Sequence, residues 1–367
     1  MSKVKLGEIA EIQAGPFGTQ LHKNEYVTDG ILMLNAKNIG NGEILLDDID
    51  CVSEKVCNRL PMYILQEGDI LFGRAGSIER HTYVSDEYAG SFQGTNCIRI
   101  RCKSIEEAIY VSYYLWLPQV KKLIENKTGG SVLSYITTDL LKEITIELPD
   151  KNTTLSIDRL LYTIDEKRRL NCKINDNLAA MAYDIYMHSF FSKKPNAKLK
   201  DILVEADKSS VQVGEAKQST GEYPFFTSGS AILKWDTPFI DGRNCFLNTG
   251  GNADAKFYVG EAAYSTDTWC ISANNNMSDY LYLLLVSIKP ELNQKFFQGT
   301  GLKHLQKPLL KDRPIYIPDF EELKTFNEQV TPMFNIISEN TRENQELITL
   351  RDWLLPMLMN GQATISD

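Results

Sequence analysis

Two long stretches of the chain repeat apolar residues at alternating intervals of three and four, the spacing of helices that pair with other helices. The first stretch covers residues 157–188 and the second covers 326–357, at an offset of 169. The pattern predicts two long helices with matching heptads. The a positions that we expect to form the helix seam and to contact partners are Ile164, Asn171, Leu178, Ile185, Met333, Asn340, Leu347 and Leu354. The d positions are Leu160, Lys167, Ile174, Met181, His188, Gln329, Ile336, Glu343, Leu350 and Met357.

The two helices either pair with each other or pack separately, each on its own domain. About 35 residues extend roughly 50 Å, more than one small domain covers, which favours pairing. Asn171 and Asn340 fall at a positions near the middle, where a polar residue fixes the register at a cost in stability. Antiparallel pairing would return the chain toward its start. It would place two globular domains at opposite ends of a rod, related by a pseudo-twofold axis.

Short apolar runs broken by Gly, Asn, Asp and Pro precede each long helix and predict strands. Further helices are predicted over 105–124 and 280–297. The fold class is therefore α+β: two repeated α/β domains separated by two long helices that pair as an antiparallel coiled coil. The predicted boundaries are 1–152 for the first domain, 153–192 for the first spacer helix, 193–318 for the second domain, 319–361 for the second spacer helix and 362–367 for a tail.

A repeated passage supports the duplication. GSVLSYITTDLLKEITIELP at 130–149 aligns without a gap on GTGLKHLQKPLLKDRPIYIP at 299–318. Earlier matched segments have larger offsets, up to 193 between Lys5 and Lys198, so the early loops differ in length between the copies. A period this long excludes a solenoid and indicates two copies of one domain.

Composition fits an ordinary soluble globular protein, with 43% hydrophobic and 24% charged residues. We expect a cytoplasmic location and no membrane partner, because no secretory signal or membrane-length apolar run is found. The seven cysteines include no CxxC pair, so neither a disulfide framework nor a zinc site is predicted. The net charge of −9 argues against simple non-specific binding of nucleic acid, and the last 49 residues contribute nine acidic and three basic side chains.

No catalytic motif is found: the chain has no phosphate loop, no HExxH zinc helix and no GxSxG elbow. One segment imitates a PD…ExK nuclease core, with Asp319 followed by Glu322 and Lys324. That core needs carboxylates on separate strands around a metal. Here Asp319 is interpreted as a helix N-cap and Glu322 as a first-turn acid that suits the helix dipole. We therefore predict neither catalytic residues nor a metal site.

These features together resemble the DNA-specificity subunits of type I restriction–modification systems, over essentially the full length of the chain. The matching segments are KLGEI at 5–9, GDIL at 68–71 followed by RAGS, the GTGLKHL passage at 299–305, and the tail RDWLLPMLMNG at 351–361. The tail after a heptad helix is the most specific of them. The order and the duplication of the segments strengthen the resemblance.

The resemblance implies two target-recognition domains, each reading half of a split, asymmetric double-stranded DNA site, and paired helices that set the spacer. It implies docking of two adenine-N6 methyltransferase subunits, which hold S-adenosylmethionine. Restriction and translocase subunits that use ATP and Mg²⁺ are further partners where restriction accompanies methylation. The chain itself is implied to be non-catalytic and to bind no cofactor.

The chain departs from the family pattern in two places. The first copy has Ser134 and Tyr135 where the second has Lys303 and His304, and the second copy has Thr249 where the first has Arg74. Sequence-specific readers need Arg or Lys for guanine, Asn or Gln for adenine, and further contacts to phosphates. The polar loop residues predicted to bind DNA are Gln20, Lys23, Arg74, Ser77, Arg80, Gln93, Gln218, Tyr223, Lys234, Arg243, Asn248, Thr249, Lys256, Lys303 and His304. His22 is a further candidate.

Two other functions remain alternatives at this stage. One is a free-standing DNA-acting enzyme, a nuclease that uses the segment around Asp319. The other is a scaffold that binds only protein. Replacing residues 1–150 with another family member's domain separates these alternatives from a DNA reader, because only a reader would change one half of the recognised site.

Overall fold

A computed structural model describes residues 2–46, 48–74, 80–128, 135–363 and 365. The chain divides into two compact units. Unit 1 comprises residues 1–165 and 348–367, and unit 2 comprises residues 166–347. Each unit therefore contains one α/β domain and a part of each long helix.

Unit 1 is built on two four-stranded sheets and a two-stranded ribbon. Its strands are β1 (Ser2–Lys5), β2 (Ala10–Ala14), β3 (Tyr26–Val27), β4 (Ile31–Leu34), β5 (Asp50–Val52), β6 (Ile70–Gly73), β7 (His81–Tyr83), β8 (Phe92–Gln93), β9 (Cys97–Cys102) and β10 (Thr145–Leu148). The first sheet has the order β2-β9-β6-β7 and is antiparallel. The second has the order β3-β5-β4-β8, in which β4 and β8 are parallel. The ribbon pairs β1 with β10.

The helices that begin in unit 1 are α1 (Leu6–Ile9), α2 (Glu54–Arg59), α3 (Ile105–Leu115), α4 (Pro118–Thr128), α5 (Thr138–Lys142) and the long α6 (Lys151–Phe190). The single helix predicted over 105–124 is wrong in one respect, because it is two helices. Pro118 opens the second one, where its missing N–H and fixed φ are tolerated only in the first turn.

Unit 2 repeats this topology. Its strands are β11 (Ala197–Lys198), β12 (Leu203–Glu205), β13 (Tyr223–Phe226), β14 (Ile232–Trp235), β15 (Arg243–Asn248), β16 (Ala255–Val259), β17 (Ala263–Tyr264), β18 (Thr268–Ala273), β19 (Phe297–Gln298), β20 (His304–Leu305) and β21 (Pro314–Ile315). The sheet β12-β18-β15-β16 matches the first sheet of unit 1, and β14-β13-β17 matches three strands of the second, including its parallel pair. The ribbon β11-β21 matches β1-β10. The predicted duplication of an α/β domain is confirmed.

The helices of unit 2 are the rest of α6, then α7 (Val213–Ala216), α8 (Ser278–Ser287), α9 (Lys289–Glu291), α10 (Lys307–Lys311) and most of α11 (Phe320–Met359). The predicted helix over 280–297 is interrupted before Pro290, and a short π-helical turn, Leu292–Phe296, follows it. Both long helices have 40 residues, close to their predicted lengths. Among the described residues, no helix is long and apolar enough to cross a membrane.

Within unit 2, the two long helices pair antiparallel, as predicted. Side-chain contacts join Asn171 to Asn344 and Asn175 to Asn340, so the second number falls as the first rises. In unit 1, Asp165 accepts a hydrogen bond from Arg351 across the same two helices, at 3.1 Å. The eight predicted a positions are all buried or half-buried.

Several of the predicted d positions, in contrast, are exposed to solvent. Ile174 and Met181 are 45% and 52% exposed, whereas the neighbouring e positions Leu161 and Ala182 are fully buried. The seam is therefore made of a and e positions. The reason is that the helices also pack into the domain cores: Ile157 and Leu161 join the core of unit 1, while Ala182, Tyr186, Phe190, Phe326, Val330 and Phe334 join that of unit 2. Pairing and domain packing, posed as alternatives, both occur.

Candidate nucleic-acid interface

Unit 2 brings two separate predicted DNA-binding segments into one loop cluster. Strand β15 ends at Asn248, and the ribbon β19-β20 lies beside the loop that follows it. Leu305 donates its backbone N–H to the Thr249 carbonyl at 2.9 Å, and Gly251 donates to the Lys303 carbonyl at 2.9 Å. The side chains of Lys303 and His304 are exposed next to this loop. The adjacent Lys303 and His304 thus lie beside Thr249, which is 54 residues before Lys303 in the sequence.

Asn248 shapes this loop and is itself buried. Its Nδ2 donates to the carbonyls of Gly250 at 2.7 Å and Asn252 at 2.5 Å, and its Oδ1 accepts from the Asp254 N–H at 2.8 Å. The Thr249 hydroxyl donates to the Asp267 carbonyl at 3.0 Å. Asn248 therefore holds the conformation of the loop, and its own amide is not presented to solvent.

Other candidates of unit 2 lie on or near the hairpin β13-β14. Gln218 is exposed, while Tyr223 and Lys234 are half-buried at neighbouring positions of the two strands. Lys256 on β16 donates from Nζ to the carbonyls of Thr227, at 2.9 Å, and Gly229. Burial lowers the pKa of Lys256. Lys256 thus braces the loop after β13 in this structure.

Arg243 lies at the start of β15, whereas Thr249 follows the end of that strand. Its guanidinium makes two hydrogen bonds to Asp279, at 2.7 and 2.9 Å, and a third to Asn335 at 2.6 Å. Asp279 is 2% exposed and also accepts from the Thr331 hydroxyl at 2.8 Å. Arg243 therefore ties β15 to α8 and α11, and all three of its guanidinium nitrogens donate within the protein.

In unit 1, several predicted residues surround one cleft of about 400 Å³. Lys23 and Arg74 line it directly. Gln20 accepts hydrogen bonds from the Phe17 N–H, at 3.0 Å, and the Tyr63 hydroxyl, at 3.1 Å, and so fixes the rim of the cleft. His22, a further candidate from the sequence, also lines the cleft. Phe17, Tyr26, Thr95 and Asn96 line it too, and sequence reasoning did not propose them as binding residues. Thr95 and Asn96 stand out in the sequence only as the start of a repeated segment.

Gln93 and Arg80 do not line the cleft. Gln93 is fully buried and donates to the backbone carbonyls of Gln13, at 3.1 Å, and Cys97, at 3.3 Å. Arg80 is half-buried just before β7. Ser77 lies outside the described residues. Because their side chains are engaged inside the protein, Gln93, Asn248 and Arg243 have structural roles in this conformation.

The middle of the paired helices carries a cluster of four asparagines, Asn171, Asn175, Asn340 and Asn344. The Asn171 amide, 2% exposed, donates to Asn344 at 3.0 Å and to the Glu343 carboxylate at 2.6 Å. The Asn340 amide donates to Asn175 at 2.8 Å. The hydrogen bond from Asn171 lowers the pKa of Glu343. Asn171 and Asn340 do not meet each other, because each bonds an asparagine at an e position of the facing helix.

The outer face of the same helices in unit 2 is apolar in part. Leu170, Ile174, Met181 and Ile336 are each between 42% and 52% exposed. These side chains cover neither the helix seam nor the core of unit 2. Leu170, Ile174 and Met181 lie on α6, and Ile336 lies on α11.

The segment that imitates a nuclease core is a helix start, as interpreted. The Glu322 N–H donates to the Asp319 carboxylate at 2.9 Å, and the Asp319 N–H donates to the Glu322 carboxylate at 3.2 Å, which is a reciprocal cap at the first turn of α11. Hydrogen bonds from Lys193 and Tyr316 lower the pKa of Glu322 to about 2. Among the described residues, no group of three His, Cys, Asp or Glu side chains could hold a metal ion.

Comparison with known proteins gives a consistent result. The family described as type I restriction modification DNA specificity domain matches residues 1–180 and again 193–349, once for each copy. The chain is 20% identical to the type I restriction enzyme MjaIX specificity subunit of Methanocaldococcus jannaschii, over 99% of this chain and 93% of that protein. It is 26% identical to the MjaVIII specificity subunit of the same organism, over 44% of this chain and only 39% of that protein.

The fold is also similar to a solved structure. The type I restriction–modification S subunit from M. genitalium superimposes with a TM-score of 0.60, at 16% identity, over 97% of this chain and 95% of that one. This likeness shows a shared fold.

Proposed function

The chain belongs to the type I restriction–modification DNA specificity family, and we propose that it reads a bipartite, asymmetric site in double-stranded DNA, one half with each unit. The single observation that carries this proposal is the duplicated α/β topology with different side chains at matched loop positions. The loop after β6 begins with Arg74, and its counterpart after β15 begins with Thr249 beside Lys303 and His304. Because the two units share a scaffold and differ in their loops, each unit would recognise a different half-site.

We further propose that the chain is a non-catalytic subunit whose outer helix face docks two adenine-N6 methyltransferase subunits. The exposed side chains of Leu170, Ile174, Met181 and Ile336 support a protein partner there. The methyltransferase subunits would hold S-adenosylmethionine, and any restriction subunits would use ATP and Mg²⁺. The acidic C-terminal segment fits this division, because a negative surface suits protein partners better than DNA.

Within the unit 2 site, we propose Lys303, His304, Thr249 and Gln218 as the DNA-contacting set, together with Tyr223 and Lys234 at the edge of the hairpin. In unit 1 we propose Lys23, Arg74 and Gln20. Exposure supports Lys303, His304 and Gln218, and the cleft supports Lys23 and Arg74. Thr249, Tyr223, Lys234 and Gln20 are half-buried, and the Thr249 hydroxyl would have to leave the Asp267 carbonyl to contact DNA. Arg243, Asn248, Lys256 and Gln93 would have to break the internal hydrogen bonds described above before they could contact DNA.

A map of methylated adenines tests the proposal. The chain is expressed with the methyltransferase subunit encoded beside it in a host without DNA methylation, and modified adenines are located by long-read sequencing. We expect a two-part motif with a fixed gap, present only when this chain is present. Methylation of single, undivided motifs, or methylation that does not depend on the chain, would contradict the proposal.

A further inference from the structure

The described residues that line the cleft of unit 1 are cationic or neutral. The loop between β2 and β3 contributes His22 and Lys23, the end of β6 contributes Arg74, and the segment before β9 contributes Thr95 and Asn96. No Asp or Glu is among the described residues that line it. In a chain with a net charge of −9, a concavity lined by cationic and neutral side chains needs an explanation.

Arg74 is the unusual member of this site. Seven other arginines contact a carboxylate, namely Arg59, Arg99, Arg101, Arg169, Arg243, Arg313 and Arg351. Arg74 is half-buried, and its Nε is buried without a hydrogen-bond partner among the described residues. Leaving a buried donor without an acceptor is costly. Because Arg74 also lines the cleft, an anion bound there would meet its guanidinium and supply an acceptor.

The concave shape of the cleft favours DNA phosphates over base edges as hydrogen-bond acceptors. A guanidinium binds two neighbouring oxygens, and both a phosphate and the edge of guanine offer two acceptors. Base edges lie on the floor of the grooves and are reached by protruding protein elements, whereas phosphates stand out from the duplex. A concave site on the protein therefore fits a phosphate better than a base edge. Lys23 and His22 add further donors for the remaining phosphate oxygens.

We propose that this cleft holds one backbone phosphate of the duplex, bound by Arg74 with Lys23 and His22 beside it. The inference rests on the proposed DNA-reading function and adds to it an anchor that is independent of base sequence. It assigns Arg74 to positioning the first half-site, whereas the sequence alone left open whether Arg74 reads a base. Unit 2 has Thr249 at the matched position, so an arginine anchor of this kind belongs to unit 1.

Salt dependence of binding tests the proposal. The full chain, assembled with its methyltransferase subunit, is titrated with a duplex carrying the methylated motif and with a shuffled duplex, at several salt concentrations. We expect Arg74→Ala to reduce the slope of log K against log salt by about 0.9, the value for one phosphate, and by the same amount on both duplexes. Arg74→Lys should retain most of the slope, because lysine also binds phosphate as a point charge.

Matched controls keep the result interpretable. Lys122→Ala removes one exposed cation of unit 1 that does not line the cleft, and it should leave the slope unchanged. Thermal unfolding of each variant identifies loss of fold. Inorganic phosphate, added at constant ionic strength, should weaken DNA binding by the wild type more than binding by Arg74→Ala.

Each other outcome overturns the inference. A loss confined to the motif duplex, with relaxed choice at one base and no rescue by lysine, would mean that Arg74 reads guanine. An unchanged slope despite competition by phosphate would mean that the cleft serves a free phosphate compound. A wild-type complex that binds neither duplex would refute the proposed function itself, and that failure is distinct from a defect limited to the Arg74 variants.

Discussion

At the residue scale, the buried carboxyl group of Asp158 gives unit 1 a pH-dependent stability. Asp158 is 4% exposed, and neither of its oxygens has a hydrogen-bond partner among the described residues. Burial, with a smaller contribution from the negative charge of Glu106, raises the pKa of Asp158 to about 8. The folded protein therefore keeps a proton that the unfolded chain releases near pH 4.

The sign of the effect follows from proton linkage. Between about pH 4 and pH 8 the folded state binds one proton more at this group, so its contribution to the unfolding free energy falls by about 1.4 kcal/mol for each unit of rising pH. We expect Asp158→Asn to remove that slope, measured by urea unfolding at pH 5, 6, 7 and 8. Asp176→Asn, an exposed residue on the same helix, is the control and should leave the slope unchanged. Equal slopes for wild type and Asp158→Asn would show that Asp158 is ionised in the fold.

Substitution of Arg243 is expected to lower stability, whereas substitution of Lys303 is expected to lower DNA affinity. Arg243→Ala leaves the buried Asp279 carboxylate without its ion-pair partner, and such a loss costs about 3–5 kcal/mol of unfolding free energy. Lys303→Ala removes an exposed side chain, so stability should change by less than about 0.5 kcal/mol while DNA affinity falls. Urea unfolding and DNA titration of both variants check this. Full stability of Arg243→Ala would show that the ion pair has little weight in solution.

Arg243 and Arg74 show that the role of a single residue cannot be predicted from sequence when its partner is distant along the chain. Both are arginines next to a strand end in matched scaffolds, and both were predicted to bind DNA. The partner of Arg243 is Asp279, which lies 36 residues away and comes into contact only when α8 packs on β15. Nothing local in the sequence records that contact. The capping role of Asp319 was predictable, because its partner Glu322 is three residues away.

At the element scale, the asparagine cluster is predicted to fix the register of the long helices. A buried polar pair is satisfied in one alignment only, and any shift leaves amides unpaired. Asn344 donates to the Cys172 sulfur at 3.5 Å, so Asn344→Cys should form a disulfide with Cys172 in the native register. We expect efficient cross-linking, detected by mass spectrometry of peptides. Adding Asn175→Leu and Asn340→Leu should lower its yield and leave the helix content unchanged.

A second element-scale prediction concerns the outer face of α6. Ile174→Glu with Met181→Glu places two charges on a surface proposed to be buried against the methyltransferase subunit, where unpaired charge is costly. We expect loss of co-purification with that subunit and an unchanged melting temperature of the isolated chain. Ala180→Glu adds a charge at an exposed position of the same helix, about 100° around the axis from Met181, and is the matched control. Retained co-purification would mean that the partner docks elsewhere.

The heptad pattern predicted the two long helices and their antiparallel pairing. Of the a and d positions predicted for the seam, only the a positions form it. Apolar spacing indicates that a helix has a buried stripe and does not say how wide the stripe is. In each unit the helices serve two neighbours at once, the other helix and the core of the domain. Ala182 and Leu161, at e positions, are therefore buried, whereas Ile174 and Met181 remain exposed.

At the scale of the whole molecule, the duplication predicts that the two half-sites can be changed separately. Replacing residues 1–150 with the matching domain of another family member should change one half of the methylated motif and leave the other half and the gap intact. The physical reason is that each sheet in the described part of the chain is built from strands of one unit only. Adenine mapping as above is the measurement. A change in both halves would contradict independent reading.

The gap between the half-sites should depend on the length of the paired helices. Insertion of one heptad into each helix at facing positions, between Lys173 and Ile174 and between Thr341 and Arg342, keeps the pairing of each half intact and adds about 10 Å of helix. At about 3.4 Å per base pair, the gap in the methylated motif should lengthen by up to about three base pairs. Three base pairs also turn the second half-site by about 100°, since a turn of DNA takes about ten, while two helical turns of protein restore nearly the same face. We therefore expect methylation of the longer site to be less efficient.

An insertion in a single helix is the control that distinguishes a longer spacer from a general loss of methylation. It would put seven unpaired residues opposite an unchanged partner and displace Asn171 and Asn175 from Asn344 and Asn340. Methylation should then fall without appearance of any new motif. If the paired insertion leaves the original gap unchanged while methylation remains efficient, the helices do not measure the spacer, and the gap must be set by the methyltransferase subunits bound to them.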